Sequence, residues 1–437
     1  MNDTITTERG WVEEPDGRGT WGILSTCFLT IILCCWTSVS PNLPAQSDGA
    51  FRTWRYKADL ACIALLGSEF LLMLALGQWS SARCSVRDFH DAGYTDWTIK
   101  HAFFADMGGF LIKPPAMDSL PPFPMNAKQL CTLVKEGYVV YPILEEEEIK
   151  DKSKSDGLAR LITIAQVLWF CINCVFRVAQ GLFITTLELT TLSFILVFLV
   201  TSYCWHHKPM SINRPITLEL KISMAIVRNK LGQPLGRSGM KHHLTFLRGM
   251  SGFVLDFGDT TSRFYTTCMC RYGPDLNGDH MIAFQAEIIC APTILLFSSV
   301  FLAGWNFHFP NATEKLLWRM ASVNILAFGL VGGLLSLYFH KTMFRPDFTQ
   351  TRALASLKRK RIPQGWIGQL AARLRNIDPE QDPELEIPIR ALIPITFVCV
   401  FYAVGRGFIL TEDLIGLRSL PESAFETISW SRYVPHL

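Results

Sequence analysis

An all-α membrane fold, a bundle of about seven transmembrane helices with one further re-entrant or interfacial helix, is predicted by three observations. The 437 residues are 49% hydrophobic and only 18% charged, which is too apolar for a soluble domain of this size and too patterned for disorder. Seven apolar runs approach the ~20 residues that cross a ~30 Å hydrocarbon core as a helix. Trp21, Trp36, Trp79, Trp205, Trp305 and Trp318 stand at or near the ends of those runs, where amphipathic rings favour the membrane interface.

The runs are residues 21–39, 58–79, 158–177, 182–205, 283–305, 316–339 and 389–410. The first follows a polar stretch with no cleavage-site pattern, so it reads as a signal anchor. The fourth, LFITTLELTTLSFILVFLVTSYCW, carries Glu188. Thr185, Glu188 and Thr191 share one face of that helix, which must look into protein and not lipid. Residues 97–112 are too short and too polar to face lipid, and are expected to form the re-entrant or interfacial helix.

Orientation follows from the basic residues. Lys and Arg in residues 1–20, 80–157, 206–282 and 340–388 number 30, against 6 in residues 40–57, 306–315 and the tail after 410. The bias predicts a cytoplasmic N-terminal segment (1–20), a membrane domain (21–410) with cytoplasmic loops 80–157, 206–282 and 340–388, and a lumenal tail (411–437). Asn311, in a sequon within the expected lumenal loop, is a candidate glycosylation site. Residues 216–230 read as an amphipathic surface helix, and 145–148 as a solvated acidic turn. Lys358 to Arg361, KRKR, is expected to attract anionic lipid headgroups.

Several chemistries are excluded. The 13 cysteines have neither zinc spacing nor a secreted disulfide framework, and the Cys171/Cys174 CxxC lies in an apolar helix, where packing explains it. There is no aspartate-rich diphosphate motif, P-loop or Rossmann glycine pattern. The pairs His206/His207 and His242/His243 do not build a di-iron histidine pattern. No cofactor, metal or nucleic-acid partner is therefore expected, and the net charge of +3 reflects topology.

What remains is carboxyl chemistry. Glu69, Asp106, Glu188, Glu287 and Glu412 lie in or beside apolar runs, with Arg177, Arg319 and Arg406 as candidate counter-charges. Arg177 and Glu188 fall ~6 Å and ~10 Å below the turn near Gln180, by helical rise, and are expected to form a structural charge pair. Glu69 has no basic residue within two turns on its own helix, so a raised pKa would keep it protonated and ready to donate. Asp106 lies between aromatic residues and Gly108.

Several segments carry a family resemblance: Gly17 to Trp21, HAFFADMGGF from His101, DKSKSDGLAR from Asp151, ITTLEL from Ile184, HKP from His207, and Trp430, Tyr433, Pro435 and His436 at the end. Across nearly the whole chain it resembles a family of fungal integral membrane proteins, and through them membrane-bound terpene cyclases of meroterpenoid biosynthesis, of the ascofuranone and macrophorin kind. The resemblance implies a metal-independent isomerase or lyase of secondary metabolism in the endoplasmic reticulum. Its lipophilic partner would be a prenylated aromatic polyketide, with or without an epoxide, arriving from the membrane lipids. It carries over no catalytic residue. Acid-initiated cyclisation needs a dry carboxyl and aromatic faces for the developing cation. Glu69 and Glu188 are the acids this would use, Asp106 the assisting carboxyl, and Phe103, Phe104, Trp169 and Phe170 the cation-stabilising rings. A transporter of a lipophilic metabolite, and a receptor or scaffold, stay open as alternatives. The oligomeric state is open as well. Carboxyls converging on one closed cavity would favour the cyclase.

Overall fold

The structure is a computed structural model describing residues 8–13, 17–43, 49–118, 121–144, 146–151, 157–209, 214–223, 226–227, 279–343, 365–369 and 389–430. It is mostly helical. Four described helical segments, Thr20–Ser38, Leu158–Ala179, Thr186–Cys204 and Ile288–Asn306, are long and apolar enough to cross a membrane.

The centre is α8 (Thr186–Cys204), which packs against α1 (Thr20–Ser38), α3 (Ser68–Asp91), α7 (Gly157–Ala179), α9 (Asp279–Ala303) and α11 (Ile389–Ile415). Helix α10 (Ala312–Met343) joins α9 and α11 from outside. On α7, Leu161, Ile162, Leu168 and Val175 are exposed. An outward apolar surface on a long helix suits lipid, not water.

The bundle has two ends. At the terminal face, β1 (Glu8–Arg9) pairs antiparallel with β5 (Leu420–Pro421), and the Arg18 amide donates to Phe425 O at 3.2 Å. The turn between α7 and α8 and the start of α10 lie there too. At the opposite sheet face, β2 (Phe110–Lys113) pairs with β3 (Phe123–Pro124) and, in parallel, with β4 (Ile216–Glu219). Helices α4 (Ile99–Asp106), α5 (Ala127–Lys135) and α6 (Glu146–Asp151) surround that sheet.

Several expectations are corrected. Residues 58–79 are not one helix: α2 (Ala50–Leu66) ends at Gly67, the chain turns through 119° and α3 doubles back. A Cβ on Gly67 would lie 2.5 Å from the Phe70 ring, so glycine is what lets the two helices start so close. This bent pair has the geometry of a broken span or a re-entrant hairpin. Residues 97–112 instead form α4, a turn at Gly108 with φ +88° and β2, all buried in the sheet unit. Residues 216–219 are strand, not surface helix, because their edge hydrogen bonds complete β2. Both described chain ends lie at one face, so the N-terminal segment is not opposite the tail. Glu146 is no free acidic turn, since it meets Lys100. The KRKR run lies outside the described residues.

Candidate functional site

Three of the acids singled out in the sequence stand at three levels of the bundle. Glu188 lies at the terminal face, 2% exposed, and closes a capping box. Its Oε2 accepts from the Thr185 amide at 2.9 Å and the Thr185 hydroxyl at 3.0 Å, and its own amide donates to Thr185 Oγ1 at 3.2 Å. Its other oxygen pairs with Arg18, not with the expected Arg177. Arg177 turns away because backbone carbonyls satisfy it better: it donates to Phe183 O at 2.9 Å, Ser423 O at 3.1 Å, Ala424 O at 3.0 Å and Glu426 O at 2.9 Å. It thereby pins the tail to the turn before α8. The signal for Glu188 was visible, since Thr185-x-x-Glu188 is the capping-box spacing. Arg18 could not be read from local sequence, being 170 residues away.

Asp106 lies at the sheet face. Ser81 donates to its Oδ2 at 2.9 Å and the Ala127 amide to its Oδ1 at 3.0 Å, so it ties the start of α5 to α3. Ser81 is 12 residues beyond Glu69, about 18 Å along α3. The expected set Glu69, Glu188 and Asp106 does not converge on one cavity.

Glu69 alone is central. It sits in the first turn of α3, 3% exposed, and its Oε2 has no hydrogen-bond partner. Its depth follows from Gln78, ten residues below Ser68 on α3, which accepts from Trp205 Nε1 at 3.1 Å. The break at Gly67 thus lies about 15 Å along α3 from the level of Trp205. Tyr402 of α11 stands beside Glu69 and donates to Leu66 O, the last residue of α2, at 3.3 Å. Phe70, Phe328 and Tyr402 form a ring cluster, with centroids 5.7 Å apart for Phe70 and Tyr402 and 4.4 Å for Phe328 and Tyr402.

The counter-charge is Arg406. Tyr402, Arg406, Ile409 and Asp413 are all about 1% exposed or less, and their spacing of four, three and four makes one stripe down α11. The Arg406 guanidinium lies 4.9 Å from the Phe194 ring, 5.1 Å from Phe301 and 5.4 Å from Phe297. None of its three nitrogens has a hydrogen-bond partner, and the Asp413 carboxyl lies against the hydroxyls of Thr186 and Thr190. Beside this cluster, Ser68, Phe194 and Thr201 help line a cavity of about 10 Å³, roughly the room of one water.

The expected aromatic set lies elsewhere. Phe103 and Phe104 are buried in the sheet unit, where Phe104 packs edge-on to Phe110 at 5.0 Å. Trp169 is on the outer surface of α7, stacked on Trp430 at 5.8 Å, while Phe170 is buried. The ring beside the acid is Tyr402, which packs with Phe70 and Phe328. Asn311 lies at the terminal face and donates to Glu314 at 3.1 Å. Cys171 and Cys174 are free thiols.

A model of a family of unknown function, DUF8562, matches residues 2–235 and 286–437. The chain belongs to that family. Glu69, Glu188, Tyr402, Arg406 and Asp413 all fall inside the matched segments, and the unmatched residues 236–285 comprise a connection outside the described residues and the first turns of α9. No curated protein and no solved structure matches the chain.

One buried cation escaped the sequence reading although its HKP segment had been noticed. Lys208, 3% exposed, donates to Ser40 O at 2.6 Å, Gln78 Oε1 at 2.9 Å and Asn42 Oδ1 at 3.4 Å, over the Trp205 ring at 4.6 Å. Burial pushes its pKa down to about 7. It fastens the end of α1 to α3 and α8, and all three donor positions are used.

Proposed function

We propose that the chain is a membrane-embedded acid–base enzyme, a terpene cyclase that closes a ring on a prenylated aromatic polyketide, with Glu69 as the proton donor. The observation that carries this reading is a buried carboxyl in the bundle core, with one oxygen unengaged, beside Tyr402, whose ring packs with Phe70 and Phe328. A carboxyl in such a place is functional by default, because holding it there is expensive. In the reaction Glu69 protonates an epoxide oxygen or alkene carbon. The ring faces stabilise the cation formed, and the Glu69 carboxylate takes back the proton lost at termination, so the step is a net isomerisation. The substrate comes from the bilayer. The α2–α3 hairpin, bent through 119° at Gly67, is the element that moves to admit it. Glu188 and Asp106 are structural in this reading, because the chain already uses their oxygens.

The accompanying topology has six spans, α1 and α7 to α11, with the hairpin re-entrant from the sheet face. Moving residues 40–57 to the basic side and residues 1–20 off it changes the bias from 30 against 6 to 31 against 5. The positive-inside rule thus supports a cytoplasmic sheet face and lumenal termini, in the endoplasmic reticulum. A second reading, transport of a lipophilic metabolite, draws on the same hairpin, since broken helices mark transporter sites at mid-membrane.

The test uses microsomes containing the full chain, supplied with an epoxyfarnesyl phenol. Ring-closed product above control membranes that disappears with Glu69→Gln supports the cyclase. Uptake of unchanged substrate into sealed vesicles supports the transporter, and product that survives Glu69→Gln removes the acid.

A further inference from the structure

The Lys and Arg side chains buried in the bundle are not served alike. Arg177 has four backbone carbonyls and Lys208 three oxygens. Arg406 is just as deeply buried, and the chain offers none of its nitrogens an acceptor. What surrounds it is aromatic, with Phe194 of α8 at 4.9 Å and Phe301 and Phe297 of α9 at 5.1 Å and 5.4 Å from the guanidinium. Ring faces steady a cation, but they give no oxygen to its planar array of N–H donors. Asp413 does not fill that place, since it lies seven residues on, about 10 Å along α11, against the hydroxyls of Thr186 and Thr190.

The position of this cation relates it to the acid. Tyr402, beside Glu69, is one turn of α11 from Arg406, about 6 Å along the helix, and the Arg406 charge acts on Glu69. Phe194, whose ring faces the guanidinium, also lines the small cavity that Ala64, Ser68 and Leu71 of the α2–α3 hairpin line. Movement of the hairpin would enlarge that cavity between the two groups.

A guanidinium with unused N–H groups is a receptor for a planar anion. Two parallel N–H···O bonds to a carboxylate are among the strongest pairings a side chain can make, and a charge enters an apolar core only where its counter-charge is already in place. We propose that Arg406 is the subsite for a carboxylate on the substrate, which selects a prenylated aromatic acid over the corresponding neutral molecule. The acid group is held at Arg406, and the prenyl chain folds back past Tyr402 to Glu69. Arg406 binds and positions, and it neither gives nor takes a proton. The fold of the chain towards Glu69 rests on the cyclase reading, whereas the anion subsite rests on Arg406 alone.

The test compares 3-farnesyl-4-hydroxybenzoate with its carboxamide, which has the same shape and no charge. Binding to the purified full chain in uncharged detergent is read from the rise of the unfolding midpoint with ligand concentration. The carboxylate should bind about 10²-fold more tightly than the amide, as expected where a charged hydrogen-bonding group is satisfied. Arg406→Met should abolish that preference by weakening the carboxylate alone, and Arg406→Lys, which keeps the charge without the planar donor pair, should retain a preference of about tenfold. Raising salt from about 0.05 to about 0.5 M should leave the wild-type preference in place, because a dry pair is poorly screened. If Arg406→Met does not fold, the wild-type comparison and Arg406→Lys decide. Equal affinity for the two probes, binding of neither, a preference that survives Arg406→Met, or one that salt removes would each overturn the subsite. Failure of the cyclase reading shows separately, as a carboxylate that binds with the expected preference and is never ring-closed. Ring closure of acid and amide at equal rates by both wild type and Arg406→Met would instead keep the cyclase and remove the subsite.

Discussion

The terminal-face charges and the core charges are built from the same residue types and are equally buried, yet the chain treats them in opposite ways. Around Glu188 and Arg177 every charged group is consumed: a capping box, an ion pair with Arg18, and four carbonyls for one guanidinium. Around Glu69 and Arg406 the fold supplies aromatic rings and leaves a carboxyl oxygen and the guanidinium nitrogens unmatched. Stability alone accounts for the first arrangement. The second costs stability, because an unsatisfied buried polar group is penalised by its full desolvation, and such a cost persists where the group acts on something other than the chain. Burial of a charge therefore does not separate structure from function in this molecule; the bookkeeping of its hydrogen bonds does.

The largest effect should come from breaking the satisfied region. Arg177→Ala strands four carbonyls and frees the tail from α8, and Arg18→Ala leaves Glu188 buried without its partner. Each should cost about 3–5 kcal/mol, the usual result of removing one side of a buried charged interaction, read as a lowered unfolding midpoint in detergent. The paired change Arg18→Met with Glu188→Met should recover most of that loss. If Arg18→Ala were tolerated with no loss, Glu188 would not be structural and the contrast would collapse.

The hairpin comes next. Gly67→Ala puts a methyl 2.5 Å from the Phe70 ring and 3.3 Å from the Tyr402 hydroxyl. Overpacking of this kind costs about 1–3 kcal/mol. Because Tyr402 stands beside Glu69 and packs with Phe70, the variant should also lose cyclisation out of proportion to its stability, which separates a hinge from a packing contact.

Arg406 should behave in the reverse way. Methionine keeps the contact with Phe194, Phe297 and Phe301, and removes a cation that has no hydrogen bonds to lose. Replacing a buried charge pair as a whole by apolar volume is often neutral or stabilising, so the paired change Arg406→Met with Asp413→Leu should move the midpoint by less than about 1 kcal/mol. A large loss of stability would show that Arg406 is held as firmly as Arg177, and the two regions would not differ in kind.

How far the sequence revealed these differences depends on range. The apolar runs, the interfacial tryptophans and the helix around Glu188 were legible, because composition and 3.6-residue periodicity are local. So was Glu69 as an isolated acid. The break at Gly67 was signalled only by a glycine inside an apolar run, and its 119° turn is decided by how Phe70 and Tyr402 pack. The pairing of Arg18 with Glu188, and of Glu69 with a stripe more than 300 residues away, depends on helix arrangement that no local pattern encodes. The sheet unit was missed because its strands are at most four residues long and β4 joins across a long connection.

The smallest effect lies on the sheet face, where a charge pair is exposed and no special work is asked of it. Lys100 meets Glu146 at the surface, and this hydrogen bond holds the Glu146 carboxyl below its ordinary pKa of 4.5. A carboxyl depressed in the folded state binds fewer protons than in the unfolded one. Its contribution is therefore present above pH 4.5 and is lost as the pH falls through the folded value. With both side chains partly solvated, that contribution is within about 1 kcal/mol and is screened by salt. Hydrogen exchange of α6 should accelerate modestly below that pH, and in Lys100→Met the acceleration should vanish. Exchange at Thr186 to Thr191, buried in the bundle, should hold steady over the same range. If α6 and the start of α8 loosened together, the exposed and the buried pairs would be one electrostatic system, and burial would not be what sets them apart.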